Sequence, residues 1–227
     1  MSICLSPALV LNPLEIQPGD DLPALRRAFG PCPPIPMACN FPDGDAQAPP
    51  SGEVRVGWMG RNICVLADLQ GKNLSTPATR MNELLWVLGE CFEIFLKFEE
   101  DKRYLEFHIA PNNCVLQLLF PYSHWWNEQH PEPAEKSLQK FMIQKPAFVS
   151  RTWKNEQDWT AFAMIDLQIL QPALSTLEGR GLEFLFGRYH YPQPGGKPSL
   201  SCSSVLRQLD FHRQEDWGTL KCSPTQS

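Results

Sequence analysis

The sequence predicts an all-β fold, an antiparallel sandwich of about nine strands. After Gly52, apolar and polar residues alternate with a period of two in run after run, and no long helical pattern separates these runs. With 227 residues, 43% of them hydrophobic, the chain is also large enough to bury a full core. We therefore expect two packed sheets.

The first 51 residues differ in character from the rest. Half of the 22 prolines lie within the first 50 residues, a density that central strands and long helices do not tolerate. The stretch "DDLPALRRAFG" is the exception, since Asp20 or Asp21 can cap a short helix that Gly30 ends. The sequence predicts a Pro-rich extended arm with one short helix at residues 1–51, which wraps the core, and the β-sandwich domain at residues 52–227.

The strands of the sandwich follow the arm in nine runs. A tight turn at Gly60 and Arg61 separates the first two runs, and a polar stretch at residues 123–145 interrupts the series, with a helical turn in "PAEKSLQKF". The runs are residues 53–59, 62–69, 91–98, 103–110, 114–120, 146–153, 159–166, 182–191 and 198–205.

The hairpin around the loop "EEDK" has one apolar face and one polar face. A four-residue loop aligns the apolar residues of its two strands, whereas a slip of one residue would separate them. The same register places Glu93 opposite His108 and Phe95 opposite Glu106 on the polar face. That face predicts either a solvated outer surface or a groove for a polar ligand with a flat apolar side, such as a sugar. The aligned apolar pairs are Phe92 with Ile109, Ile94 with Phe107, and Leu96 with Leu105.

Charge and hydropathy exclude two classes of partner. The 25 acidic and 20 basic residues give a net charge of -5 and form no Lys/Arg block, so nucleic acid is not expected. No apolar run approaches the length of a membrane span, about 18 residues. The weakly apolar stretch near the N-terminus is not preceded by the basic segment of a signal peptide. These features predict a cytoplasmic protein.

Cofactor and metal signals are weak. The eight cysteines form no CxxC pair and several lie in apolar runs, which predicts mostly buried thiols, with disulfides or zinc as alternatives. Asp43 and Asp45 could bind a structural calcium ion, although an ordinary acidic turn is the simpler interpretation. His124 and His130 flank two tryptophans without the spacing of a zinc site. We expect no other cofactor; haem would need a Met or His pair aimed into a pocket.

Signals of catalysis are also missing from the sequence. Ser201, Ser203 and Ser204 lack a G-x-S-x-G elbow, and no Gly-rich phosphate loop occurs. Glu93 and Glu106 belong to different cross-strand pairs of one face, which does not suit a hydrolytic carboxylate pair. The sequence therefore predicts a protein that is not an enzyme.

Several motifs resemble those of a known family. "WVLGECFEIFL", a short loop and then Tyr104 with "EFHIAP" resemble the central motif of the family 9 carbohydrate-binding modules and their relatives. "DFHRQEDWGTL" is similar to the closing motif of that family, and "VRVGWMGRNICVLADL" is similar to its early hairpin. The resemblance covers roughly residues 52–222 and leaves the arm outside.

The resemblance implies a set of ligand-binding residues. In sugar-binding members two tryptophans clamp a sugar ring with the help of a Glu and an Arg; the first Trp corresponds to Trp86 and the Glu to Glu93, with one extra residue between them. The second clamp position falls on Phe211, and the Arg position falls on His108. Arg188 corresponds to an Arg that faces the site in some relatives. The alternative is that Arg188 pairs with a surface carboxylate.

The sequence thus predicts a non-catalytic domain that binds a glycan or other polyol. Trp86 and Phe211 would stack on the ligand, while Glu93, His108 and Arg188 would form hydrogen bonds to it. A separate glycan-active enzyme would be its partner. The alternative is a scaffold or protein interaction domain that kept the sandwich but not sugar binding, with Trp125 and Trp126 as its anchors.

Overall fold

The computed structural model of the chain is a predominantly antiparallel β-sandwich, which confirms the predicted fold class. It describes residues 7–17, 19–38, 50–72, 74–123, 125 and 134–224. Within these ranges the strands are β1 (Ala8–Leu11), β2 (Ile35–Met37), β3 (Gly52–Met59), β4 (Asn62–Gln70), β5 (Cys91–Phe98), β6 (Tyr104–Ile109), β7 (Val115–Phe120), β8 (Phe148–Lys154), β9 (Asp158–Asp166), β10 (Gly181–His190), β11 (Ser199–Cys202) and β12 (Gly218–Cys222). The α-helices are α1 (Leu22–Phe29), α2 (Leu85–Leu88) and α3 (Ala134–Gln139).

The strands form two sheets. The larger sheet has the order β1-β12-β10-β5-β6-β7, with β11 paired to one end of β10. The smaller sheet has the order β2-β3-β4-β9-β8. All nine predicted runs contain a strand, and β1, β2 and β12 are additional.

The core lies between the two sheets and follows from the period-two alternation of the strands. The larger sheet contributes phenylalanine, leucine and isoleucine side chains from β5, β6 and β10, and the smaller sheet contributes the apolar residues of β3, β4 and β9. The hairpin β5–β6 has the predicted register, with Glu93 opposite His108 and Ile94 opposite Phe107. No helix in the described ranges is long and apolar enough to cross a membrane.

The arm contributes to both sheets. Strand β1 pairs parallel with β12, and β2 pairs antiparallel with β3. Between them, α1 begins at Asp21, whose side chain accepts a hydrogen bond of 2.8 Å from the Ala24 N–H, as one of the two predicted caps. Leu25 and Phe29 of α1 pack on Phe162 on the outer face of the smaller sheet. The described part of the arm therefore adds a strand to each sheet and packs a helix on the smaller one.

The polar face of the β5–β6 hairpin is buried, which corrects one of the two expectations for it. Glu93, Glu106 and His108 are each at most 2% exposed. Segments 74–90, 134–142 and 203–217 fold over this face and form a second apolar cluster with it, to which Phe211 and Trp217 belong. The outer face of the larger sheet is therefore not a solvated surface but the floor of a covered layer.

The six described cysteines are thiols, and five of them are buried. This agrees with the prediction from their apolar surroundings, and Cys114 is the one of these six that is partly exposed. Cys4 and Cys39 lie outside the described residues.

Candidate ligand-binding pocket

A pocket of about 390 Å³ opens in the covered layer, over β5, β6 and β10. Four of the five predicted site residues line it: Trp86, Glu93, His108 and Phe211. They come from α2, β5, β6 and the loop before β12. The pairing of β5 with β6 brings Glu93 and His108 together, and the covering segments 74–90 and 203–217 carry Trp86 and Phe211. We call this cavity the central pocket.

The floor of the central pocket is a histidine between two carboxylates. Nδ1 of His108 lies 3.1 Å from Oε1 of Glu93, and Nε2 of His108 donates to Oε1 of Glu106 at 2.6 Å. Glu93 faces His108 across the β5–β6 pair, and Glu106 is two residues before His108 on the same face of β6. The floor is therefore polar and buried.

Burial changes the protonation of these groups. Burial raises the pKa of Glu93 to about 7, against the opposing effect of His108. Burial also disfavours the charged form of His108, but Glu93 and Glu106 outweigh that effect, so the pKa of His108 is raised. The neighbouring His212 has its pKa lowered to about 4, mainly by burial. Near neutral pH, His108 thus holds its proton more firmly than His212 does.

Aromatic rings form the walls of the central pocket. Trp86 contacts the His108 ring, with the ring centroids 5.2 Å apart. Phe211 packs edge-to-face on Phe95 at 6.1 Å and on Tyr189 at 6.0 Å. These contacts hold two flat apolar surfaces beside the polar floor.

Gly187 on β10 allows the Phe211 ring to approach the sheet. A Cβ at Gly187 would lie 2.9 Å from Cε2 of Phe211 and 3.1 Å from Oε2 of Glu93. Since real Cβ atoms essentially never come within 3.0 Å of another heavy atom, a side chain at this position would displace the Phe211 ring and crowd the Glu93 carboxylate. The glycine is therefore part of the shape of the pocket.

Several residues that line the central pocket carry no sequence signal that assigns them to it. Phe95 and Glu106 were placed on the polar face by alternation but were not assigned to the site, and Tyr189 lies on the same face of β10 as Gly187. Asp210 and His212 flank Phe211 in an irregular loop. No periodic signal exists in such a loop, so only the fold reveals these two.

Arg188 does not line the central pocket, which corrects the expectation that it faces the same site as the other four residues. It pairs with Phe92, whose side chain lies in the core between the sheets. Its side chain is fully buried, and Nε donates to Oε1 of Glu90 at 2.8 Å. His190 and Trp159 contact the same carboxylate at 2.8 and 3.1 Å. Arg188 is therefore a member of a buried ionic cluster on the other face of β10.

Cys91, Glu93 and His108 could together approach a metal ion, since their ligand atoms lie within 4.8 Å of one another. Burial raises the pKa of the Cys91 thiol well above its usual range, and the charges of Glu93 and Glu90 add to this effect. Metal binding requires a thiolate, which this environment opposes, so we assign no metal to the group. Asp43, Asp45, His124 and His130 lie outside the described residues.

Trp125 cannot be an exposed anchor for another protein. It is 3% exposed and packs against Phe120 and Phe141, with ring centroids 5.5 and 4.7 Å away. The expectation for Trp125 in the interaction-domain alternative is therefore wrong, and Trp126 lies outside the described residues.

Comparisons with known proteins agree on the architecture. No family model matches the chain, and no curated protein matches it. Among solved structures, a candidate carbohydrate-binding protein from Bacteroides uniformis is similar, with a TM-score of 0.72 and 18% identity over 95% of this chain and 99% of that one.

Two further similar structures are of a family 9 carbohydrate-binding module from Caldicellulosiruptor kristjanssonii. The complex with cellotriose has a TM-score of 0.66 and 11% identity over 97% of this chain and 95% of that one. The complex with glucose has a TM-score of 0.64 and 12% identity, with 98% of both chains covered. Because the matches cover 95% or more of this chain, they reach into the arm, which the sequence resemblance left outside. The chain thus has the fold of the family 9 carbohydrate-binding modules.

Proposed function

We propose that the chain binds a saccharide or related polyol in the central pocket. The observation that carries this proposal is the convergence of Trp86 and Phe211 with the buried Glu93–His108 pair in one cavity. Flat aromatic surfaces suit the C–H faces of a sugar, and buried charged groups form strong hydrogen bonds to its hydroxyls. The complexes of similar folds with glucose and cellotriose support this proposal.

The size of the central pocket favours a short ligand. Its volume of about 390 Å³ is near the lower end of the range for small-molecule sites, which is about 300–1,000 Å³. We therefore propose that it takes one sugar ring, or the end of a chain, in contact with Trp86 and Phe211.

We propose that the pocket binds its ligand without catalysing a reaction. Glycoside hydrolysis uses two carboxyl groups on either side of the scissile bond. Glu93 and Glu106 instead contact the two nitrogens of the same imidazole, that of His108, in the pocket floor. They lie on one side of any ligand that the pocket could hold.

The test is calorimetric titration of the protein with a panel of mono- and disaccharides, after a thermal-shift screen for ligands that raise the melting temperature. Stacking on Trp86 should contribute about 1–3 kcal/mol, so Trp86→Ala should weaken binding by about ten- to a hundredfold. Val87→Ala is the matched control, because Val87 is the next residue of α2 and is 59% exposed.

Two results would contradict the proposal. The first is that no saccharide of the panel binds. The second is a ligand that Trp86→Ala and Val87→Ala bind equally well.

A further inference from the structure

The charge in the central pocket is one-sided. Three carboxyl groups line it, those of Glu93, Glu106 and Asp210, of which Glu93 is only partly ionised near neutral pH because burial raises its pKa to about 7. Among the residues that the structure describes, no Lys or Arg lines the pocket, and the basic groups there are the imidazoles of His108 and His212. Since burial lowers the pKa of His212 to about 4, at most one imidazole is protonated near neutral pH. The acidic groups therefore outnumber the cationic ones.

One of these carboxylates has an acceptor that the described residues leave unsatisfied. Glu106 is 2% exposed, and its Oε1 accepts from His108, but its Oε2 has no hydrogen-bond donor in the described part of the chain. Nδ1 of His212 is 3.7 Å from Oε2 and is hydrogen-bonded to the Tyr104 hydroxyl at 2.8 Å. A buried acceptor of this kind is costly unless a water or a ligand group in the pocket supplies the donor, and a charged ligand donor forms the stronger hydrogen bond.

The walls of the central pocket also favour a cation. The rings of Trp86, Phe95, Tyr189 and Phe211 all line it. The negative face of an aromatic ring attracts an ammonium group, and this attraction strengthens where water is excluded. Carboxylates combined with aromatic walls form a suitable environment for an alkylammonium.

We propose that the central pocket selects a sugar that carries a protonated amino group, of the hexosamine class, over neutral and acidic sugars. This inference rests on the proposed function and names the class of ligand. The ammonium would donate to Oε2 of Glu106, while the sugar ring lies against Trp86 and Phe211. A neutral sugar offers a hydroxyl without the charge, and a uronic acid adds a further negative charge to a site that is already acidic.

The experiment compares four ligands on the intact wild-type protein by calorimetry: glucosamine, glucose, N-acetylglucosamine and glucuronic acid. The pH is set so that the glucosamine amine is protonated. Glucosamine should bind at least tenfold more tightly than glucose, a difference of about 1.4 kcal/mol. N-acetylglucosamine keeps the nitrogen but loses the charge, so it should lose this advantage, and glucuronic acid should bind most weakly.

Variants identify the source of the preference. Glu106→Gln keeps the shape and removes the charge, so it should reduce the glucosamine-to-glucose ratio at least fivefold. Because Glu106 is buried and its replacement can impair folding, Asp210→Asn on the partly exposed loop provides a second test in the same direction. Glu215→Gln is the matched control, because Glu215 is an exposed acidic residue of the same loop that does not line the pocket.

The outcomes separate this inference from the proposed function. Equal affinity for glucosamine and glucose would overturn the selectivity and leave saccharide binding in place. An unchanged ratio in both pocket variants, or the same loss in Glu215→Gln, would overturn the assignment to these carboxylates. If no sugar binds, the proposed function fails, and the inference fails with it.

Discussion

Replacing Glu90 should destabilise the fold while leaving the central pocket intact. Glu90 is 1% exposed, and its carboxylate receives the guanidinium of Arg188 at 2.7 and 2.8 Å. It also contacts Nδ1 of His190 and Nε1 of Trp159. Glu90→Gln keeps the size of the side chain but leaves the fully buried Arg188 without its counter-charge. Removing one partner of a buried ion pair costs about 3–5 kcal/mol, which is a large part of the usual stability of about 5–15 kcal/mol.

The assay is equilibrium unfolding in urea, with the slope of the transition checked to be the same in each variant. Arg188→Met should cost a similar amount, because it leaves Glu90 buried without the guanidinium. The double variant should cost less than the sum of the single variants by about 1–3 kcal/mol, since contacting residues are coupled. Under conditions where it stays folded, Arg188→Met should bind saccharide with unchanged affinity, because Arg188 lies on the face of β10 away from the central pocket. Losses below about 1 kcal/mol in both single variants, or full additivity, would refute the coupling argument.

Three further outcomes can be measured on the same preparations. Phe29→Ala should lower the free energy of unfolding by about 3–5 kcal/mol, because Phe29 is fully buried on the smaller sheet. A loss below about 1 kcal/mol in urea unfolding would mean that α1 is not part of the cooperative core. Between pH 4.5 and about 7, the folded chain keeps the Glu93 proton that the unfolded chain loses, so this group makes stability fall as pH rises. His212 acts in the opposite direction between about pH 4 and 6.5, where the unfolded chain binds the additional proton. Compared with the wild type, Glu93→Gln should therefore make the free energy of unfolding rise more steeply between pH 5 and 7, and His212→Gln should make it rise less steeply. The opposite changes, measured by urea unfolding at the two pH values, would contradict the assigned pKa shifts. Gly187→Ala should weaken saccharide binding in calorimetry because its methyl group would displace Phe211, and an unchanged affinity would show that the ring position does not matter.

The local pattern of the chain was sufficient for the strands and for one hairpin. Period-two alternation predicted nine of the strands, since a half-buried strand must place its apolar residues on one side. The register of β5 and β6 followed from the same rule, because only one alignment keeps both apolar faces together. The short strands β1 and β2 carry too few residues for a periodic signal, and β1 finds its partner β12 at the other end of the chain.

The placement of side chains beyond the strand pairs required the tertiary structure. The sequence by itself determined that Glu93 faces His108 across the hairpin, because strand pairing is a local consequence of alternation. It did not determine that segments 74–90 and 203–217 would cover that face, because apolar contact is not directional and irregular segments carry no period. Alternation along β10 places Arg188 on the side of Phe184 and Phe186, but the sequence did not show that Glu90, 98 residues away in the chain, would supply its counter-charge there. A buried charge is stable only beside its counter-charge, and the two residues come together only in the folded chain.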